Sequence, residues 1–388
     1  EDLMSRVSYI MSNEGGEEKL TQTVRYALNQ MIDEMAQAAG IETDDIVEMT
    51  VVGNPIMHHL VLGISPVEIG TAPFTLATDE SVEGLASSFG ININPGAYLY
   101  ALPCIAGHVG ADNAAVLLAE APEQREEVSL IVDIGTNAEL VLGNRDRLLA
   151  ASSPTGPAFE GAQVSSGQRA ATGAIERVRI DRETLEPRYK IIGCDVWSDD
   201  PGFAAHIPDG GITGICGSGI IEVIAEMYLA GVVDHKGLVI ADKKRPTDRL
   251  VQNGRTFEYV LYEGEPDVRI TQNDIRAIQL AKAALFAGAR LLMEEYGVEQ
   301  VDRIRLAGAF GSYIDVKYAM VLGVIPPCEL EDVSSAGNAA GTGARIALLD
   351  RQSRRHIEQL VRKTEKIETA IAECFQDYFV EALSFPEL

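Results

Sequence analysis

Basic residues are scarce in this chain: 32 Lys and Arg stand against 58 Asp and Glu, a formal net charge of −26 over 388 residues. A nucleic-acid footprint needs a cationic surface, so this balance argues against a nucleic-acid partner and for a well-solvated globular protein. Cysteine is sparse too. Cys104, Cys194, Cys216, Cys328 and Cys374 form no CxxC and no clustered spacing, so neither a zinc site nor an iron–sulfur cluster can be read from them, and scattered reduced thiols are expected. No run of about 18 apolar residues exists to cross a bilayer. No signal peptide opens the chain, which makes the cytoplasm the expected location with no membrane partner. Of six histidines, the adjacent His58 and His59 would project about 100° apart on a helix, so they cannot share a ligand and at least one is expected at the surface.

Against these shortages stand 46% hydrophobic residues and 36 glycines, enough apolar material for one large core or two joined ones. The most informative stretch is LIVDIGTNAELVL, residues 130–142. An apolar strand delivers Asp133 into a glycine turn and returns as a second apolar strand. Gly135 permits a turn tight enough for its own N–H and those of Thr136 and Asn137 to face an anion. A carboxylate such as Asp133 is tolerable beside phosphates when Mg²⁺ lies between them, directly or through water. A second site, RLAGAFGS at residues 305–312, reads as a strand ending in Gly308, Ala309, Phe310 and Gly311 and entering a helix through Ser312. Its small residues would let a flat ligand press on the backbone, and the helix start offers N–H groups. The two together, in this order, match the phosphate and adenosine elements of the actin, sugar-kinase and heat-shock ATPase superfamily.

Periodicity predicts a helix over 17–39, with Leu20, Val24, Leu28, Met31 and Met35 facing inward and Gly40 stopping it. A strand at 46–52 runs into Gly53-Asn54-Pro55, and Pro55 suits the first turn of a short helix. A strand at 98–102 precedes a small-residue helix carrying Asp112 and ending near 121; residues 122–127 read as a linker. After the hairpin come a third strand near 147–151 and a glycine-rich passage, 152–176, read as a functional loop. The segment ICGSG at 215–219 opens an amphipathic helix, a further helix spans 273–296, and a strand at 303–307 returns to the main sheet. Small-residue helices recur in the two halves (GADNAAVLLAEA and AGNAAGTGARIALL) and would allow a close, hinge-like crossing.

The chain resembles, over nearly all its length, the ATP-binding region of the reductive activators of corrinoid proteins. The resemblance rests on GNPIMHHLVLGISP, LPCIAGHVGAD, VDIGTNAELVLG, GPAFEGAQVSSGQRAATGAIE, GICGSGIIE, NDIRAIQLAKAA and LAGAFGSYID, in one order. It implies an α/β, two-lobed actin-like (ribonuclease-H-like) ATPase fold. The first lobe would span 1–126 and the second 127–388, with an inserted subdomain at about 193–300. It also implies a function: coupling ATP to an electron transfer that returns a Co(II) corrinoid to Co(I).

Carried over by position, Asp133, Gly135, Thr136 and Asn137 would contact phosphates and Mg²⁺, and Gly308, Ala309, Phe310 and Gly311 would form the adenosine edge. Asp112 would position Mg²⁺ or the attacking water, or else cap its helix. Gly217, Ser218 and Gly219 and the helix bearing Lys282 would close over base or ribose, or else be a helix start and a solvated face. The loop from Ser152 to Gly161 would face outward and dock the corrinoid protein through Ser152, Ser153 or Thr155, with Gly156 and Phe159 beside them. Such activators begin with a ferredoxin domain holding a two-iron, two-sulfur cluster through which an electron donor acts, and no cysteine set here could ligate one. Asp-Ile-Gly occurs once, although each lobe of the fold needs an Asp-x-Gly hairpin, and the chain starts at Glu1 without methionine. It is therefore expected to be a piece cut just after the first hairpin, inactive alone, from a protein that the resemblance makes a homodimer. The competing readings are a small-molecule kinase of the same superfamily, needing an Asp general base, and an ATP-gated binding module acting by closure alone. A dinucleotide-binding dehydrogenase is disfavoured, because ICGSG lacks the full glycine fingerprint.

Overall fold

The computed structural model describes residues 3–71, 73–242 and 244–387. By contact these residues gather into two compact units, neither continuous in sequence. The first collects the described residues within Glu1–Ser129, Val141–Ser152 and Ala336–Ile367, and the second those within Leu130–Leu140, Ser153–Ser335 and Glu368–Leu388.

In the first unit a helix not foreseen from sequence, α1 (Leu3–Ser12), precedes α2 (Gly16–Ala39). Gly40 stops α2 with φ 69°, its N–H reaching back to the carbonyls of Ala36 and Gln37, a left-handed cap that glycine adopts without strain. The inward stripe of α2 passes through Thr21, Leu28, Ile32 and Ala36. Met31 and Met35, expected on it, are 55% and 58% exposed. One residue is about 100° around a helix, so a stripe that follows Ile32 and Ala36 turns the neighbouring methionines outward.

Strands β1 (Glu48–Val51), β2 (Val82–Leu85) and β3 (Tyr98–Ala101) form a sheet in the order β1-β3-β2, with β1 parallel and β2 antiparallel to β3. Leaving β1, the chain enters α3 (Pro55–Leu62) at a built cap: Asn54 accepts from the Met57 N–H at 2.9 Å and Pro55 takes the first turn. Both histidines of α3 are buried, against the expectation that one would be exposed. This short helix is buried nearly all round, every one of its residues but Met57 being buried. Burial pushes His58 down to about 4, and the His59 ring bridges the Pro55 carbonyl and the Ala77 N–H. Helix α4 (Ala111–Glu120) packs against α10 (Ala339–Leu349), which leads to α11 (Arg351–Lys363). A Cβ at Gly343 would lie 1.9 Å from the Ala115 carbonyl oxygen, so the small residues of these two helices do bring backbone against backbone.

One six-stranded sheet contains β4 (Ser129–Ile134), β5 (Ala138–Gly143), β6 (Leu148–Ser153), β13 (Arg303–Ala307), β14 (Val333–Gly337) and β15 (Glu365–Lys366), in the order β14-β13-β4-β5-β6-β15. Because β13 neighbours β4, the two sequence motifs leave adjacent strands.

The second unit adds β7 (Ala174–Ile180), β8 (Pro187–Ile191), α5 (Phe203–His206), β9 (Gly214–Ile215) and α6 (Gly217–Leu229). There follow an antiparallel sheet of β10 (Leu250–Asn253), β11 (Thr256–Tyr262) and β12 (Val268–Ile270), then α7 (Gln272–Tyr296), α8 (Gly308–Tyr313), α9 (Val316–Leu322) and α12 (Phe375–Glu381). Helix α6 was expected to be amphipathic, yet residues 217–228 are all buried, including Glu222 and Glu226. Those carboxylates are tied to the edge of β7. Glu222 accepts from the Val178 N–H at 2.9 Å and from Arg177 and Arg179 at 2.7 and 2.5 Å, and Glu226 accepts from the Ile180 N–H and the Tyr318 hydroxyl. Partnering of this kind makes a buried carboxylate tolerable. No described helix is long and apolar enough to cross a membrane.

Candidate nucleotide site

The apolar residues of β4 are buried on both faces of the strand, while Asp133 near its end is only half-buried. Beyond it the turn closes on itself, because the Gly135 N–H donates to the Asn137 carbonyl at 3.0 Å. That corrects the expectation that Gly135 offers its N–H to an anion and leaves Thr136 and Asn137 for the purpose. Thr155 holds the turn from outside, its hydroxyl lying 3.1 and 3.0 Å from the carbonyl oxygens of Gly135 and Thr136. The Thr136 hydroxyl donates to Glu160 at 2.9 Å.

The second motif arrives beside the first. Gly308 has φ 83°, and a Cβ built on it would stand 2.4 Å from Asp133 Oδ1 and 3.4 Å from the Ile134 carbonyl. The backbone of Gly308 therefore abuts the Asp133 carboxylate at a distance no side chain allows. The helix was expected to begin at Ser312; instead residues 308–313 are themselves α8. Gly311 is small for another reason, since a Cβ there would come within 3.0 Å of the Leu306 backbone. Phe310 stacks on Phe159, centroids 5.4 Å apart and planes 16° from parallel.

Several expected site residues serve the fold instead. A Cβ at Gly217 would meet the Phe159 carbonyl at 1.9 Å, and one at Gly219 the Ile175 carbonyl at 2.4 Å, so the glycines of ICGSG let α6 lie directly on its neighbours. Ser218 is buried with its hydroxyl 3.3 Å from the Cys216 sulfur. Lys282 is buried and donates to the Ser384 carbonyl at 2.5 Å, which makes it neither a solvated face nor a lysine extended toward a nucleotide.

The docking loop also needs correction. Ser153, Thr155 and Phe159 are buried, while Ser152 and Gly156 are partly covered and Pro154 and Glu160 are exposed. Thr155 is turned inward by the turn it holds, and Phe159 by its stacking on Phe310. Gly156, with φ 70° and ψ 177°, occupies backbone space that is essentially glycine's alone. Further along, Asp274 accepts from the Ser165 N–H and hydroxyl at 2.8 and 3.0 Å and completes a capping box with Thr271 at the start of α7. The spacing Thr-x-x-Asp was a readable sign of that helix start.

In the first unit, Asp112 sits in the first turn of α4, where its carboxylate accepts from the Asn113 N–H at 2.9 Å. Burial pushes Asp112 up. Cys104 is pushed up as well, first by burial and then by the charge of Asp112. The cap position of α4 is Gly110, with no side-chain cap hydrogen bond, so Asp112 satisfies one N–H of the first turn without being the cap. Among the described residues, no group of three or more His, Cys, Asp or Glu could hold a metal ion. A cation at Asp133 would draw its remaining oxygens from phosphate and water.

The chain matches two family models: residues 127–388 that of the C-terminal domain of RACo, the ASKHA domain, and residues 1–124 that of the RACo middle region. It is 34% identical over 381 residues to the corrinoid activation enzyme RamQ of Eubacterium limosum, covering 95% of this chain and 61% of that protein. It is 29% identical over 299 residues to a [Co(II) methylated amine-specific corrinoid protein] reductase of Methanosarcina barkeri, covering 73% of this chain and 51% of the reductase. The solved structure of a reductive activator for corrinoid, iron-sulfur protein superposes with a TM-score of 0.86 at 34% identity, covering all of this chain and 60% of the activator. The chain thus spans about three fifths of the length of the fullest of these matches. With both of its regions matched in order, the chain belongs to the family of RACo-type reductive activators of corrinoid proteins and contains their middle region and their actin-like ASKHA domain.

Proposed function

We propose that this chain is the nucleotide-binding and partner-facing part of a protein that uses ATP to return a corrinoid cobalt from Co(II) to Co(I). The observation that carries the reading is the seat where the Gly308 backbone abuts Asp133. There the glycine-rich end of β13 packs directly on the half-buried carboxylate at the end of β4, so the two motifs converge on one acidic group, and this suits a nucleotide with its magnesium. Asp133 would hold Mg²⁺ directly or through water, and the N–H groups of Thr136 and Asn137 would meet phosphate. The backbone from Gly308 to Phe310 would meet adenosine. A magnesium ion bound there supplies neutralisation of phosphate charge. Thr155 acts before any ligand arrives, because it fixes the turn from which those N–H groups project.

The partner in this reading is a corrinoid protein, as the names of the relatives suggest. The resemblance to the activators implies that the electron comes from a two-iron, two-sulfur carrier, and the five cysteines here, dispersed and three of them buried, do not make one. Of the three docking hydroxyls, Ser152 is the one left partly exposed, and it takes the contact with the partner. The test is to mix the whole protein that contains this chain with a Co(II) corrinoid protein and a reduced electron donor, with and without Mg·ATP, and to follow the corrinoid absorbance. Nucleotide-dependent association and Co(I) formation are expected, both diminished by Asp133→Asn. Phosphoryl transfer to an added sugar or acid, with no effect on cobalt, would favour the kinase reading instead.

A further inference from the structure

Lys282, in the middle of α7, is 1% exposed. It meets a backbone carbonyl, that of Ser384 at 2.5 Å, and the ring face of Phe385 at 5.4 Å. Burial is the whole cause of its shift from 10.5 to about 7, and among the described residues no carboxylate pairs with it. A buried ammonium without a counter-ion is costly, and of its three donors the Ser384 bond takes one. Holding the segment around Ser384 does not require this lysine. That segment is also bound by Gln279 to the Leu383 carbonyl at 2.8 Å, by its own Phe385 N–H to the His235 carbonyl at 2.8 Å, and by Tyr228 to the Pro386 carbonyl at 2.6 Å.

A pocket of about 380 Å³ opens on Lys282, within the roughly 300–1,000 Å³ typical of small-ligand sites. Its wall is largely apolar, from Phe286, Met320, Ile325 and Phe385, and the other charged residues that line it, Arg290 and Glu381, are exposed. We propose that this pocket binds a small apolar monocarboxylate, with the carboxylate on the Lys282 ammonium and the hydrocarbon against Phe286, Met320 and Ile325. The acid would supply the missing counter-ion, and the apolar wall would select against hydrophilic anions.

Calorimetric titration of the full chain with octanoate, and with 1-octanol as the uncharged control, tests this. Saturable octanoate binding is expected, about tenfold or more tighter than that of the alcohol and about tenfold or more weaker in Lys282→Met, the worth of one hydrogen bond between charged groups. Met320→Trp fills the pocket from its apolar side and should abolish binding of both probes while leaving the lysine in place, so the answer does not hang on how well Lys282→Met folds. Wild-type octanoate affinity in either variant, equal affinity for acid and alcohol, or no saturable binding would each overturn the proposal. Neither ATP nor a corrinoid is needed, so failure here leaves the proposed function untouched.

Discussion

Replacing Gly308 by alanine probes the seat at Asp133 with a single carbon atom. Two costs arise together. The backbone stands at φ 83°, where an L side chain costs roughly 1–2 kcal/mol. The new Cβ would lie 2.4 Å from Asp133 Oδ1, and pushing carboxylate and backbone apart in packed surroundings costs about 1–3 kcal/mol. The sum, about 2–5 kcal/mol, is a large share of a typical stability of 5–15 kcal/mol, so the seat cannot be blocked without a visible effect on folding. Urea unfolding of wild type, Gly308→Ala, Asp133→Ala and the double variant separates the two costs. Removing the carboxylate relieves the clash and leaves the backbone cost, so the cycle should show a favourable coupling of about 1–3 kcal/mol. Mg·ATP titration of the same substitutions in the whole protein that contains this chain should show binding weakened in every variant. A Gly308→Ala protein as stable as wild type, or additive substitutions, would refute the placement of Gly308 against Asp133.

Asp133→Asn keeps the shape of the side chain and removes its charge; in the whole protein that contains this chain, nucleotide hydrolysis should fall by about 10²-fold or more, measured as phosphate release, with a thermal midpoint nearly unchanged. Gly343→Ala places a carbon 1.9 Å from the Ala115 carbonyl oxygen and should destabilise by about 1–3 kcal/mol in urea unfolding. His58, pushed down to about 4 from 6.5 by burial, binds fewer protons folded than unfolded between those values, so the stability it contributes is full above pH 6.5 and is lost as pH falls toward 4. His58→Gln should flatten that slope. Stability that rises with acidity across this window would contradict the buried neutral histidine.

Features carried by neighbouring residues could be read from the sequence alone. Helix α2 and its Gly40 cap, the Asn54-Pro55 start of α3, the β4–β5 hairpin, β13 and most of α7 follow from periodicity and capping within a few turns of chain. The meeting of Asp133 and Gly308 was legible only as an expectation carried by two motifs, since adjacency of β4 and β13 is a property of sheet order. What could not be read was direction. A hydroxyl such as Thr155 or an aromatic such as Phe159 has the same composition whether it faces a partner or its own turn. Likewise, the glycines of ICGSG look alike whether they make room for a ligand or for a neighbouring carbonyl. Glu222, Glu226 and Lys282 defeat a polarity-based reading, because their burial depends on partners distant in sequence.

Thr155 and Asp274 fasten the glycine-rich loop at two places, one to the carbonyls of the hairpin turn and the other to the backbone of Ser165. A segment pinned at both ends opens as a unit, so its amides share one opening free energy instead of fraying independently. Hydrogen exchange at the Ser165 and Gln168 amides, bonded to Asp274 and to the Ile215 carbonyl, should therefore keep pace with exchange at Gly135. Protection gained at the hairpin turn on adding a nucleotide should be inherited by amides thirty residues downstream that touch no ligand, which would make the loop a slow clock for events at the phosphate turn.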